Sequence, residues 1–270
     1  GIENGIMDED RVDIEVAKDT WRTAPDWPIP GTLGTDVYLQ GTAPGSAGAL
    51  GLRSGGATDT LTWTDAAQNE NTMINNPTGS QANRLAFLSA PLKNPLRISG
   101  TPVVDVRASL STTQSNLGAV LVDYGPSTQV SRQSDGIVTA QPETRTCWGE
   151  SSADDSACYL EVTKPTTDVT QWRVSKGILD SSNRESLLAT MATPVQIGTE
   201  YRFTWPTFPN DFVFGAGHRI GIILVANYTS FGSVAGTTGS QIALDTRASK
   251  VRLPIVGGYG AAVASGGFGR

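Results

Sequence analysis

Apolar residues alternate with polar ones along much of this chain, and this alternation is the feature that most restricts its fold. The alternating apolar positions are Val37 and Leu39; Leu61 and Trp63; Val104, Val106, Ala108 and Leu110; Val120, Val122 and Tyr124; and Tyr201, Phe203 and Trp205. Successive side chains of a strand point to opposite faces, so this pattern indicates half-buried strands. The apolar run at 220–226 has the length of a strand and is typical of a central one.

Turn residues separate these segments, as an all-β protein requires. Clusters rich in Gly, Pro, Asn, Ser and Thr occupy 75–79, 125–127, 181–183 and 237–239, and such clusters mark turns. Only short helices are predicted, around 65–71 and 185–191. With 38% hydrophobic residues the chain is too apolar to be disordered. We therefore predict an all-β sandwich.

Composition divides the chain into three parts. Residues 1–30 are polar and then Pro-rich, and we interpret them as a linker or lead-in strand that arrives from something upstream. The sandwich is predicted over 31–256. The Ala- and Gly-rich segment 257–270 is predicted to be a flexible tail. Because the first residue is Gly1 and no basic or apolar leader follows it, we interpret the chain as a processed or trimmed product.

Charge and hydropathy argue against two classes of partner, nucleic acids and membranes. The formal net charge is −6 and no Lys/Arg-rich run occurs, so the electrostatic footprint of a nucleic-acid-binding protein is missing. No run of 18 apolar residues is present, so we predict no membrane-spanning segment.

Two cysteines flank a polar segment of ten residues. A disulfide between Cys147 and Cys158 would stabilise this loop by about 3 kcal/mol in the chain-entropy model, and it would suit an exported protein. The alternative is a pair of unrelated free thiols. Trp148, inside this loop, is the tryptophan we expect to be most exposed.

No catalytic residue is predicted. The chain has a single histidine, His218, and no Gly-x-Ser-x-Gly segment; Ser127 and Ser151 come nearest, but each lacks the second Gly. Nucleophilic catalysis needs a base beside the nucleophile, and that base is usually His. His218 follows a Gly turn and precedes an apolar strand, so we predict that it has a structural role.

No cofactor and no metal site is predicted either. One His and two Cys are too few for an ordinary zinc site, and Asp154 with Asp155 lacks the spacing of an EF-hand, although a calcium contact there stays open. A pair of carboxylates, such as glycosidases use, also stays open. The tryptophans could stack on a sugar, but Trp63 and Trp205 fall in alternating strands and are predicted to be core.

Several segments, in this order, resemble one protein family. Residues 96–107 hold a strand, a Gly-x-Pro turn and a second strand, and 117–124 is a strand that ends in an Asp-aromatic pair. Residues 173–184 are similar to a Val-x-x-Gly-x-Leu-x-x-Ser-x-Arg pattern. Residues 194–219 run from a Pro-x-x-x-Gly turn to a Gly-His-Arg motif. Together they resemble the C-terminal β domain of the Xaa-Pro dipeptidyl-peptidase and cocaine-esterase family.

The resemblance extends over about 12–256, with one departure. Asn183 stands where a His is common in the family, and the stretch 21–30 is similar to the segment that joins the family's hydrolase domain to its β domain. The resemblance implies a parent α/β-hydrolase whose Ser-Asp-His triad lies upstream and which releases N-terminal Xaa-Pro dipeptides or cleaves related acyl bonds. No triad position has a match in this chain. His218 belongs to the Gly-His-Arg motif of the β domain.

The resemblance therefore implies a jelly-roll or galactose-binding-like β-sandwich that acts as a non-catalytic accessory domain of a secreted bacterial serine hydrolase. Its partner would be the α/β-hydrolase domain of the parent, on which it would pack while limiting access of substrates. A free-standing carbohydrate-binding module is the alternative, and an enzyme that uses an unrecognised carboxylate pair is the third possibility. The oligomeric state and the parent's substrate do not follow from the sequence.

Overall fold

The structure, a computed structural model, describes residues 5–41, 47–55, 60–79, 81–131, 139–227 and 238–269. Strands dominate these residues, which confirms the all-β prediction. The strands are β1 (Val12–Ala17), β2 (Thr20–Ala24), β3 (Thr32–Gln40), β4 (Gly48–Gly51), β5 (Thr60–Thr64), β6 (Arg84–Leu88), β7 (Leu96–Gly100), β8 (Val103–Leu110), β9 (Asn116–Val130), β10 (Thr139–Cys147), β11 (Cys158–Thr163), β12 (Thr166–Asp180), β13 (Glu200–Pro206), β14 (Asn210–Phe214), β15 (Arg219–Val225) and β16 (Gln241–Val256). The α-helices are α1 (Glu70–Ile74) and α2 (Gly258–Ser265), and 3-10 turns occur at Ile6–Asp8, Ser181–Asn183 and Ala189–Met191.

Most strands belong to one large sheet that curls on itself. Its order is β12-β9-β15-β6-β4-β3-β16-β7-β14, while β8 pairs with β13 and β16, and β5 pairs with β16. Strand β12 returns to lie against β13 and β14, where the Phe208 N–H donates to the Lys176 carbonyl over 2.9 Å. Gly177 permits this approach, because a Cβ there would lie 2.4 Å from the Pro206 carbonyl oxygen. The sheet is therefore a β-sandwich that closes almost into a barrel.

The main core lies inside the curled sheet. Its largest buried side chains include Trp63, Phe87, Phe203 and Phe214, and Trp205 is buried with them. The prediction that Trp63 and Trp205 belong to the core is therefore confirmed. Burial of this much aromatic and aliphatic surface is the dominant favourable term in folding.

A second, smaller cluster explains the continuous apolar run of β15. On the outer face of β9 and β15, helix α1 covers the sheet; the members of this cluster are Met73, Ile74, Val120, Val122, Ile223 and Val225. Because β15 is buried on both faces, it shows no alternation. It lies between β9 and β6, which confirms its predicted central position.

The first residues form a hairpin instead of a single lead-in strand. Strands β1 and β2 pair only with each other among the described residues, and we call them the N-terminal hairpin. The following segment reaches the sandwich at Ile29, which is buried and whose N–H donates to the Ser99 hydroxyl over 3.2 Å.

A second peripheral unit, which we call the arm, extends from the large sheet. It consists of 125–130 of β9, the β10–β11 pair, and 166–170 of β12. Strands β10 and β11 pair with each other in a separate sheet, and β11 leads into β12 through Lys164 and Pro165. The arm is mostly exposed, in contrast to the rest of β9 and β12.

Both predicted helical segments differ from the structure. The helix expected at 65–71 begins only at Glu70, because Asn69 has extended backbone and its side chain accepts a hydrogen bond from the Asn71 N–H, which makes it the N-cap. The segment 185–191 forms only a 3-10 turn at its end.

The structure corrects the prediction of a flexible tail at 257–270 for the residues it describes, 257–269. Helix α2 begins after Gly257 and ends at Gly266, which have φ angles of 81° and 69°, a left-handed conformation that favours glycine. Ala262 and Phe268 are buried against the main core, and the Gly269 N–H donates to the Leu50 carbonyl. The small residues that looked like a tail instead allow this helix to pack closely.

Candidate functional site

The single histidine is hydrogen-bonded to a buried carboxylate. His218 places Nδ1 3.0 and 2.9 Å from the two carboxylate oxygens of Asp123, a geometry that suits an Nδ1–H donor. The Asp123 side chain is 1% exposed. Burial raises the pKa of the Asp123 carboxyl above its ordinary value, and the hydrogen bond with His218 opposes that rise.

Two glycines make room for the imidazole ring. A Cβ on Gly125 would lie 2.3 Å from the ring, and one on Gly215 would lie 3.0 Å from Nε2. The pair joins the end of the Asp-aromatic strand to the Gly-His-Arg turn, 95 residues apart in sequence. The sequence singled out both motifs but contained no sign that they meet. This geometry supports a structural role for His218, which stays a prediction.

Several carboxylates of the sandwich form ion pairs with Lys or Arg side chains. The pairs are Asp211 with Arg97, Asp105 with Arg202, Asp36 with Lys250, and Glu70 with both Arg173 and Lys176. The hydrogen bond from Arg202 is the largest cause that lowers the pKa of Asp105. A general acid needs a carboxyl whose pKa is raised, so Asp105, whose pKa is lowered, does not suit that role in a glycosidase-like function.

The described residues offer no cluster of three or more His, Cys, Asp or Glu side chains that could hold a metal ion. Among the same residues, no helix has the length and apolar character needed to cross a membrane.

The predicted disulfide is present and closes the tip of the arm. Cys147 and Cys158 are bonded and face each other across the β10–β11 pair. Trp148, next to the bond, is 82% exposed, as predicted. Tyr159, Leu160 and Val162 of β11 are also exposed, so the arm presents apolar side chains to solvent.

One lysine clamps the base of the arm to the N-terminal hairpin. Lys164 Nζ lies 2.7 Å from Glu15 Oε1 and 3.5 Å from Asp19 Oδ1, and 5.3 Å from the centre of the Trp21 ring, within cation–π range. The hydrogen bond from Lys164 is the largest cause that lowers the pKa of Glu15. The sequence separation of Lys164 and Glu15 is 149 residues, and the sequence gave no signal for this contact.

A cleft of about 480 Å³ separates the N-terminal hairpin from the sandwich. The hairpin contributes Val16 and Lys18, and the sandwich contributes Trp172, Asn210 and Val213. Its wall of two aromatic rings, those of Trp172 and Phe212, with amide and charged groups could hold a small polar ligand. Of the tryptophans considered for sugar stacking, Trp172 is the one that lines this cleft.

Comparison with protein families gives one match over most of the chain. The family described as the X-Pro dipeptidyl-peptidase C-terminal non-catalytic domain matches residues 4–252. A Streptomyces avermitilis protein named as an Xaa-Pro dipeptidyl-peptidase is 34% identical over 263 residues, which are 97% of this chain and 38% of that protein. The chain thus spans less than half the length of this curated relative.

Solved structures share the fold at low identity. An aminopeptidase from a marine sediment archaeon, Thaumarchaeota archaeon, has a TM-score of 0.59 and 15% identity, over 92% of this chain and 41% of that one. A CocE/NonD family hydrolase from Staphylococcus aureus has a TM-score of 0.58 and 14% identity, over 94% of this chain and 43% of that one. In both, the matched fold is a part of a longer chain.

Proposed function

Because the chain belongs to the family of X-Pro dipeptidyl-peptidase C-terminal non-catalytic domains, we propose that it serves as the accessory β domain of an Xaa-Pro dipeptidyl-peptidase-like serine hydrolase. In this role it packs on an α/β-hydrolase domain that precedes it in the longer protein and limits which substrates reach the active site. The observation that carries the proposal is the match over 4–252 in a chain that covers only 38% of its relative.

The chemistry of the chain agrees with an accessory role. A serine peptidase needs a nucleophile, a base and a group that orients the base. In this chain the single histidine is hydrogen-bonded to a buried carboxylate and enclosed by Gly125 and Gly215, which supports a structural role for it in the β domain. The catalytic groups of the longer protein would come from the preceding domain.

Activity measurements on two proteins test this proposal. We expect the 270-residue chain to be inert towards Ala-Pro p-nitroanilide and short acyl esters, and the longer protein to cleave the dipeptide substrate. Removal of the β domain from the longer protein should change the relative rates on short and long peptides, because the domain limits access. Hydrolysis by the chain alone that a serine-directed inhibitor abolishes would contradict the proposal.

The Cys147–Cys158 bond also supports a proposed location. Disulfides persist in oxidising compartments, so we propose that the protein is exported from a bacterial cell. Alkylation of the unreduced protein followed by mass spectrometry checks the bond; two alkylated cysteines would remove this support.

The cleft favours a second candidate function, carbohydrate binding. Trp172 with Asn210 and Lys18 at its rim offers a ring for stacking and polar groups for hydroxyls. A sugar screen by intrinsic fluorescence, with a Trp172→Ala variant as control, tests it. Binding that survives in this variant would exclude the cleft as the sugar site.

A further inference from the structure

We infer that the arm, together with the N-terminal hairpin, is the surface that contacts the preceding hydrolase domain. This inference rests on the proposed function and deepens it by naming the docking surface. The hairpin and the arm are clamped together by Lys164, and both expose apolar side chains, Trp21 and Val16 on the hairpin and Trp148, Tyr159 and Val162 on the arm.

Exposure of the arm to solvent has a physical cost. Strands β10 and β11 have no third strand among the described residues, and a two-stranded ribbon is marginally stable in water by itself. Aromatic side chains such as Trp148 and Tyr159 are those that carry most of the binding energy in interfaces. An exposed ribbon with this composition is stabilised when a second surface covers it.

The position at which a preceding domain would join the chain also favours this surface. The family is a C-terminal domain, and this chain covers 38% of its Streptomyces relative, so the remaining domain connects ahead of β1. Lys164 holds that hairpin to the beginning of β12. The joining point and the arm therefore lie side by side, and a domain attached there meets the arm without a long connection.

A competing apolar surface lies at the other end of β12. Leu187, Leu188, Met191 and Ile197 are exposed in the loop that follows this strand, and Ser181 at its start is hydrogen-bonded to Ser115. Strand β12 has 15 residues, which at about 3.3 Å per residue separate its ends by roughly 45 Å. The loop is thus far from the hairpin, and the geometry favours the arm.

Hydrogen exchange on the 270-residue chain and on the longer protein tests this assignment. We expect the amides of β10 and β11 to exchange at least about tenfold more slowly in the longer protein, because coverage suppresses local opening. Amides of 185–197 should exchange equally in both. Trp148→Ser combined with Tyr159→Ser should abolish the added protection, whereas the matched control Leu187→Ser combined with Leu188→Ser should keep it.

The possible outcomes distinguish the docking surface from the packing proposal. Added protection at 185–197 with none on the arm would overturn the inference and leave the packing proposal intact. Added protection nowhere would overturn both. Protection of the arm in the isolated chain that rises with protein concentration would assign this surface to a second copy and overturn the inference.

Discussion

The sandwich and the arm share the strands β9 and β12, yet they are held together by different means. In the sandwich, residues 117–122 of β9 are buried, and they pair with β15 and β12 on either side. Beyond Tyr124 the same strand pairs, among the described residues, with β12 alone. The arm depends instead on a disulfide at its tip and an ion pair at its base. One strand can therefore lie in the core at one end and form part of an exposed ribbon at the other.

This difference separates the region that stabilises the fold from the region that leaves apolar surface for association. The sandwich gains its free energy of folding from apolar burial within the domain. The arm leaves its apolar side chains exposed, so their burial remains available for association. A change in the sandwich should alter global unfolding, and a change in the arm should alter local opening or binding.

We expect the largest change in the free energy of unfolding when an aromatic side chain is truncated in the sandwich, compared with the same change in the arm. Phe203→Ala removes a fully buried ring from the main core and should lower the free energy of unfolding by about 3–5 kcal/mol. Trp148→Ala removes an exposed ring and should change it by less than about 0.5 kcal/mol. Denaturant unfolding of both variants measures the contrast, and equal losses would show that the arm belongs to the same packed unit.

The second effect concerns the buried pair of His218. His218→Gln takes away the partner of a carboxylate that is 1% exposed, and should lower the free energy of unfolding by about 1–3 kcal/mol. Calorimetric melting measures it. A variant that keeps its full melting temperature but loses a binding activity would contradict the structural role.

The sequence predicted the regular part of this molecule better than the contacts between distant segments. Alternation identified the half-buried strands, and the apolar run at 220–226, broken only by Gly221, identified β15, because both patterns follow directly from which faces are buried. The tail prediction at 257–270 was based on composition. A run of small residues shows no clear apolar pattern in a sequence. In α2, however, the small residues allow the helix to pack closely against the core, and Ala262 is fully buried.

For the candidate site, residues near in sequence were predictable and distant pairs were not. The Cys147–Cys158 bond could be predicted because ten residues separate the two thiols. The Lys164 clamp and the Asp123–His218 pair join residues that are 149 and 95 positions apart. Such pairings depend on how the sheet curls, which a single sequence does not encode in any local pattern.

The third effect is local to the arm. Cys147→Ser combined with Cys158→Ser should favour opening of the β10–β11 pair by about 3 kcal/mol, the loop-closure contribution of a short loop. Its amides should therefore exchange about a hundredfold faster. The melting temperature of the sandwich should stay nearly unchanged, because β10 and β11 pair only with each other in the described chain. An equal fall in sandwich stability would mean that the two regions unfold together.

The smallest effect is a pH dependence of the clamp between the arm and the N-terminal hairpin. The Lys164 hydrogen bond, with a smaller contribution from the Asp19 N–H, lowers the pKa of Glu15 below its ordinary value of 4.5. A carboxyl whose pKa is lowered by folding stabilises the folded state above its unfolded pKa, and this stabilisation is lost as the pH falls through the folded pKa. The clamp should therefore be intact at pH 7 and at pH 5, and should weaken only below pH 4.5. An NMR titration of the Glu15 carboxyl measures this directly.

Lys164→Gln should return the pKa of Glu15 most of the way to 4.5, whereas the matched variant Lys18→Gln should leave it low. A Glu15 pKa that stays equally low in Lys164→Gln would show that the backbone of the β1–β2 turn, and not the lysine, holds the charge, and the arm would then lack its electrostatic attachment to the hairpin.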